Sequence, residues 1–222
     1  MLRHVAITAI LLHLGCVFLS AQSVEARNGD IYYLQADGTE KRLTNLGKDY
    51  DPSLSGDRTL IVFARKTKVA PYEFRPSEMQ IIQSEIWTVD VEGKHGQLVV
   101  GGPLRFNGRS FCAFSSPQLS PDNRRIYFLV DFAAVTHAIF QADVQSHASK
   151  FVGAAMFFWV VPRGEYSGYL VVQQRRVGPG ALSPDYLYWL IDQDGNTMGF
   201  VGKEESDVKT FLTTRALRTP PY

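Results

Sequence analysis

The sequence is poor in cysteine. It contains only Cys16 and Cys112, and Cys16 lies in an N-terminal segment that we expect to be removed. One remaining thiol cannot form a disulfide within the chain, so the small disulfide-stabilised folds of secreted proteins are excluded. No ligand-type partners accompany Cys112 in the sequence, and we interpret it as a small buried side chain.

An excess of either charge is also absent. The 222 residues include 23 Lys and Arg against 22 Asp and Glu, which gives a formal net charge of +1. A chain balanced in this way has no overall electrostatic field that would attract nucleic acid or acidic lipid. We therefore expect no nucleic-acid partner.

Recognisable catalytic and metal-binding motifs are lacking as well. The histidines at 95, 137 and 147 have no ligand-type spacing, and no Gly-x-Ser-x-Gly elbow occurs. The run 192–196 has carboxylates that suit calcium, but its Asp-Gly recurs at 37–38, and we interpret both as hairpin turns. The sequence thus predicts no metal, no cofactor and no enzymatic activity. A carboxylate pair acting on a glycoside would leave no such motif, so that alternative stays open.

The N-terminus carries an apolar run, residues 5–19, after a short basic start. Small-residue sites follow at 21–23 and 24–26, which is the pattern of a secretory signal peptide. We expect a signal peptide at 1–26 and one domain at 27–222, periplasmic or secreted, with no stable membrane insertion after cleavage. A retained anchor is the alternative interpretation of the same run.

The chain does contain repeats of apolar and β-branched strands separated by turn residues. They predict an all-β fold of four-stranded antiparallel blades at 52–100, 117–153 and 156–201, without an amphipathic helix. A hairpin at 31–44 and a strand at 208–214 are left over. We expect them to pair and to close a small β-propeller of four blades, or else the open ring to be completed by oligomerisation. The continuous apolar run 157–161 is expected in the core.

Three phrases resemble the repeat of the TolB-type β-propeller family: residues 37–44, 51–57 and 120–128. The resemblance covers most of 30–65 and 85–131. The sequence departs from the family pattern at Leu54 and Leu119, where an aromatic residue is usual, at Gly56, and at Asn123. The resemblance implies a propeller and a loose link to the cell envelope. It says little about function, because the repeat occurs in translocation proteins, peptidase domains and lyases.

The long connections are expected to lie on one face. In an up-and-down blade the tight turns share one face, and the insertions 66–84, 101–111 and 175–185 share the other, which is typical of a binding face on a rigid scaffold. Arginine and aromatic residues are concentrated there, and they dominate interface energetics. We predict that this face binds an envelope protein or peptide through Tyr72, Phe74, Arg75, Arg105, Phe106, Arg109, Arg175 and Arg176. A propeller hydrolase or lyase and a carbohydrate-binding module using the exposed aromatic residues are the alternatives.

Overall fold

The computed structural model describes residues 21–71, 80–133, 136–176 and 185–215. Within these residues the fold consists of four antiparallel sheets, a short hairpin and one helix. Every sheet keeps the chain order of its strands, so consecutive strands are neighbours. This is the meander connectivity expected of propeller blades.

Sheet 1 has three strands: β1 (Ser23–Arg27), β2 (Asp30–Leu34) and β3 (Glu40–Arg42). Sheet 2 has four: β4 (Asp49–Leu54), β5 (Leu60–Pro71), β6 (Gln80–Asp90) and β7 (Gln97–Val100). A hairpin of β8 (Leu104–Phe106) and β9 (Arg109–Phe111) follows.

Sheet 3 has four strands: β10 (Phe114–Leu119), β11 (Arg125–Ala133), β12 (Thr136–Asp143) and β13 (Ser149–Ala155). Sheet 4 has β14 (Phe157–Val160), β15 (Leu170–Arg176), β16 (Asp185–Ile191) and β17 (Thr197–Gly202), followed by helix α1 (Glu205–Thr214). The three predicted four-stranded sheets are confirmed; the first two have slightly longer bounds, and the third is shifted by one residue.

The sheets pack face to face in chain order. Three apolar clusters lie between successive sheets. Ile31 and Phe63 belong to the cluster between sheets 1 and 2, and Ile86 and Phe128 to the cluster between sheets 2 and 3. Ile139 and Leu170 belong to the cluster between sheets 3 and 4. Each of these side chains is almost fully buried. Alternating apolar residues on each strand therefore fill both faces of sheets 2 and 3, as in stacked blades.

The predicted strand at 208–214 is wrong, because these residues belong to α1. Glu204 and Asp207 form a reciprocal capping box that starts the helix, and Arg215 in the left-handed region (φ 62°) ends it. Val208 and Phe211, three residues apart, share the buried side of α1. The predicted pairing of 31–44 with 208–214 is therefore also wrong, and β1 is the strand that joins β2 instead.

Helix α1 packs on the outer face of sheet 4, the face turned away from sheet 3. Val208 and Phe211 contact a cluster that includes Val171, Leu190 and Val201. In a closed ring another blade would cover this face. Here α1 covers it, with Trp159 and Tyr166 at the margin of the cluster.

Candidate binding face

One end of the sheets, which we call the turn face, carries the turns after β2, β4, β6, β10, β12 and β16, and two of them share a Ser-x-Asp design. The hydroxyl of Ser55 donates to Asp57 at 2.6 Å, and that of Ser120 donates to Asp122 at 2.6 Å. Each serine also accepts a backbone N–H from the strand that follows, at 2.9 Å from Leu60 and from Arg125. Both serines are buried, so the turns are stabilised by their own side chains.

The Asp-Gly turns predicted at 37–38 and 194–195 are confirmed. Gly38 (φ 84°) and Gly195 (φ 88°) lie in the left-handed region that such turns require. The carboxylate of Asp37 accepts the backbone N–H of Thr39, which lowers the pKa of Asp37. Over the described part of the chain, no group of three or more His, Cys, Asp or Glu side chains is arranged to hold a metal ion.

Polar contacts connect neighbouring sheets across the turn face. The amide of Asn123 donates to Asp57 at 2.8 Å, between sheets 3 and 2. The hydrogen bonds from Ser55, Asn123 and Thr59 lower the pKa of Asp57 to about 2. Lys41 pairs with Glu92 between sheets 1 and 2, and the Lys150 ammonium lies 2.6 Å from Asp194 between sheets 3 and 4. These contacts therefore connect the four sheets in chain order on the turn face.

The opposite end of the sheets, which we call the loop face, carries the long connections. The first of them, predicted as a loop at 66–84, is largely a two-stranded ribbon in which β5 runs to Pro71 and β6 starts at Gln80. Lys66, Thr67 and Lys68 are exposed on it, and Ile82 is 47% exposed. The predicted site residues Tyr72, Phe74 and Arg75 lie outside the described residues.

The second connection, predicted as a loop at 101–111, contains the β8–β9 hairpin. Phe106 stacks on Phe151 with 4.5 Å between ring centroids, and it contacts Phe140 edge-on at 6.0 Å. These contacts pack the hairpin against sheet 3. The register pairs Phe106 with Arg109 and Arg105 with Ser110. Arg105 and Arg109 are exposed, whereas Phe106 is half-buried.

The third connection joins β15 and β16, and its residues 177–184 lie outside the described residues. Arg175 is exposed and stands opposite Tyr186, which is 43% exposed. Arg176 has a different environment, because its guanidinium lies 4.0 Å from the ring centroid of Trp189 and bonds the amide of Gln174. The described arginines of the predicted site therefore lie on two separate elements, the β8–β9 hairpin and sheet 4.

The run 157–161 is not wholly in the core as predicted. Phe158 and Val161 are buried, but Phe157 is 54% exposed. Phe157 pairs with Gln173 on β15, which in turn pairs with Tyr188. These residues share the outer face of sheet 4, of which α1 covers the part around Leu190 and Val201. A continuous apolar run cannot show which of its residues an adjacent element leaves uncovered.

Sequence reasoning missed a group of residues where sheets 2 and 3 meet near the loop face. The Tyr50 hydroxyl donates to the Phe114 carbonyl at 2.7 Å, and burial raises the pKa of Tyr50, with Asp51 and Asp131 acting in the same direction. Asp51 has a positive φ of 48° at a bulge in β4, and its carboxylate accepts the Ser116 N–H at 3.0 Å. These residues lie far apart in the sequence, and no spacing rule connects them.

Comparison with known proteins supports the fold. No protein-family model matches the chain, and no curated protein matches it either. Among solved structures, TolB from Acinetobacter baumannii is 16% identical, with a TM-score of 0.53 over 82% of this chain. The fold is TolB-like. The chain spans 40% of the length of that TolB structure, so the likeness concerns a part of it.

A second solved structure, dipeptidyl peptidase 4 from Porphyromonas gingivalis, is 11% identical and has a TM-score of 0.49, covering 82% of this chain and 31% of that one. At 16% identity, the likeness to TolB shows the fold alone. Among the described residues of this TolB-like chain, no helix has the length and apolar character needed to cross a bilayer.

Proposed function

We propose that this chain is an exported, non-enzymatic binding protein that presents its loop face to a protein or peptide partner of the cell envelope. The observation that carries the proposal is the contrast between the two ends of the sheets. Most turns of the turn face are short and bond their own polar groups. The loop face has the connections after β5, β7 and β15, with exposed arginine and aromatic side chains, beside the short connections after β1 and β11. Rigid scaffolds commonly carry binding residues on such connections.

Three arginines of the long connections have the chemistry that a protein interface uses. Arg105, Arg109 and Arg175 are exposed, and Arg175 stands beside the partly exposed Tyr186. A guanidinium can pair with a carboxylate through two hydrogen bonds and can also stack on an aromatic ring. Phe106 and Arg176 contribute less directly in this proposal, because each already packs against an aromatic ring within the fold.

Export is part of the proposal, with a revised boundary for the signal peptide. Strand β1 begins at Ser23 and pairs with β2 from Ser23 to Arg27, so cleavage after Ala26 would remove most of a sheet strand. Cleavage next to Ala21 would keep β1 whole. The intact mass of the exported protein distinguishes the two positions, and a mass that begins at Arg27 would contradict the revised boundary.

The test is site-specific photo-crosslinking in an envelope extract. A crosslinking amino acid replaces Arg105 on the β8–β9 hairpin or Arg175 on β15, and Lys94 on the turn face serves as the control, since Lys94 is also exposed. We expect the loop-face positions to capture the same partner and the control position to capture none. Arg175→Ala should then weaken the purified complex by about 2 kcal/mol, roughly thirtyfold, if it is a hot spot. Capture by Lys94 alone would place the site on the other face and contradict the proposal.

A further inference from the structure

Two lysines face each other across neighbouring strands of sheet 2. The β4–β5 register pairs Asp49 with Arg65, and the Lys66 N–H donates to the Lys48 carbonyl at 2.9 Å, which extends the pairing by one residue. Lys48 and Lys66 therefore stand opposite each other, and both are exposed. Lys68 is also exposed, two residues further along β5. Like charges directly opposite on adjacent strands destabilise a sheet.

Three carboxylates of the neighbouring strands are bonded to other groups. Asp49 is fully buried and accepts two hydrogen bonds from Arg65, at 2.6 and 2.9 Å. Asp51 accepts the Ser116 N–H, and Asp131 lies 3.1 Å from the ring nitrogen of His137. Among the ion pairs that involve described residues, none includes Lys48, Lys66 or Lys68. On the turn face, by contrast, Lys41 and Lys150 have carboxylate partners.

Apolar side chains accompany the lysines. The Lys66 ammonium lies 5.5 Å from the centroid of the Tyr50 ring, whose hydroxyl is fixed by the Phe114 carbonyl. Ile82, on the partner strand of the same ribbon, is 47% exposed, and Leu46, two residues before Lys48, is 55% exposed. These two are among the few large apolar side chains in the described part of the chain that reach such exposure. Exposed apolar side chains rimmed by polar groups are a feature of protein interaction sites.

The free edge of the ribbon is poorly suited to receive an added strand. A bulge interrupts the β5–β6 register between Lys66 and Val69, and Pro71, which has no N–H, ends β5. Lysines, bulges and proline are the features that protect exposed strands from edge-to-edge pairing. A partner would therefore contact the side chains of this region rather than extend the sheet.

We propose that Lys48, Lys66 and Lys68 form a cationic patch that binds the carboxylates of an acidic segment of the protein partner. The inference rests on the proposed function, because it names the chemistry of the partner that the loop face takes. A carboxylate placed between Lys48 and Lys66 relieves their mutual repulsion, and Ile82 and Leu46 accept apolar side chains of the same segment. An anionic polysaccharide would satisfy the charges and leave the apolar side chains without a partner.

The probe is a fluorescein-labelled eight-residue peptide of alternating Glu and Leu, measured by fluorescence anisotropy with the full exported protein at low ionic strength. A peptide with Gln in place of Glu and dextran sulfate are the comparison ligands. The variant is Lys66→Glu, and Lys94→Glu on the turn face is its control, with the same change in net charge. We expect Lys66→Glu to weaken binding of the Glu peptide at least about fivefold, and Lys94→Glu to leave it unchanged.

The melting temperature of Lys66→Glu is a second measurement, and it distinguishes a loss of binding from a failure to fold. Lys66→Glu replaces a like-charge pair by an opposite-charge pair, so the melting temperature should rise by about 1–3 °C while binding falls. Equal binding of the Gln peptide, or loss of binding in both variants, would overturn the inference. Binding of dextran sulfate without binding of the Glu peptide would overturn it in favour of a polysaccharide. The proposed function would survive each of these results if the crosslinks at Arg105 and Arg175 still formed.

Discussion

Helix α1 provides the strongest test of how this fold is stabilised. Phe211 is 1% exposed and Val208 is 2% exposed, and both lie against the outer face of sheet 4. Replacing Phe211 by Ala removes the largest apolar side chain that α1 places on that face. The surrounding cluster, which includes Leu190 and Val201, would then line a cavity or be exposed to water.

The expected loss follows from the size and burial of the side chain. Truncating a buried Phe to Ala lowers the free energy of unfolding by about 3–5 kcal/mol. Tyr166 and Leu212 at the margin of this cluster are only partly buried, so the site can relax, and we expect a value near the lower limit, about 3 kcal/mol. For a domain of this size, that loss lowers the melting temperature by about 6–12 °C.

Urea unfolding measured by tryptophan fluorescence reports the effect, because Trp159 lies beside the same cluster. Its ring centroid is 5.9 Å from that of Tyr188. Thr213→Ala on the exposed side of α1 is the matched control and should change the unfolding free energy by less than about 0.5 kcal/mol. If Phe211→Ala unfolds within about 1 kcal/mol of the unaltered protein, α1 does not stabilise the outer face, and our account of sheet 4 is wrong.

Three further substitutions test the turn face. Gly38→Ala should lower the free energy of unfolding by about 1 kcal/mol through its positive φ alone, whereas Gly195→Ala should lower it more, because its Cβ would lie only 2.0 Å from the Val152 carbonyl oxygen. Equal losses in thermal unfolding would contradict that contact. Since the pKa of Asp57 is lowered to about 2, its stabilising contribution is present above about pH 4 and is lost as the pH falls towards 2. In Asp57→Asn, the free energy of unfolding should therefore depend less on pH between about 4 and 2. Acid unfolding measures this, and an unchanged pH dependence would contradict the prediction.

Turn chemistry made the blades predictable. Asp-Gly at 37–38 and 194–195, and Ser-x-Asp at Ser55 and Ser120, fix where strands end, because each turn satisfies its own backbone groups locally. Alternating apolar residues between such turns then define the strands. Local rules of this kind predicted the three four-stranded blades, but not the bulges that shift their register.

The C-terminal helix was missed because its local signals are weak. Its sequence, from Glu205 to Thr214, includes three threonines, which favour strands, and only two of its residues are buried. The deciding features are the capping box of Glu204 and Asp207 and the apolar face of sheet 4 that α1 covers. The second feature is tertiary, and no window of sequence contains it.

The candidate site was predictable as a face but not as a set of contacts. Topology assigned the long connections to one end, and composition selected Arg105 and Arg175, which are exposed. The opposition of Lys48 and Lys66 depends on the register of β4 and β5, and the packing of Phe106 on Phe151 depends on how the hairpin folds back. The first depends on the bulge in β4, and the second on a contact between segments distant in sequence.

The outer faces of sheets 1 and 4 are the surfaces on which a second copy of the chain would have to pack to complete a propeller ring. The outer face of sheet 1 carries Arg27, which bonds Glu25 and Glu40 and lies 3.9 Å from the ring centroid of Tyr32. A neighbouring blade would have to remove these charges from water, which is unfavourable unless new partners replace it. On sheet 4, α1 would have to leave the face before another blade could pack there. Completion of the ring by oligomerisation would therefore disrupt the contacts that the outer faces of sheets 1 and 4 already make. Binding at the loop face requires neither outer face to change.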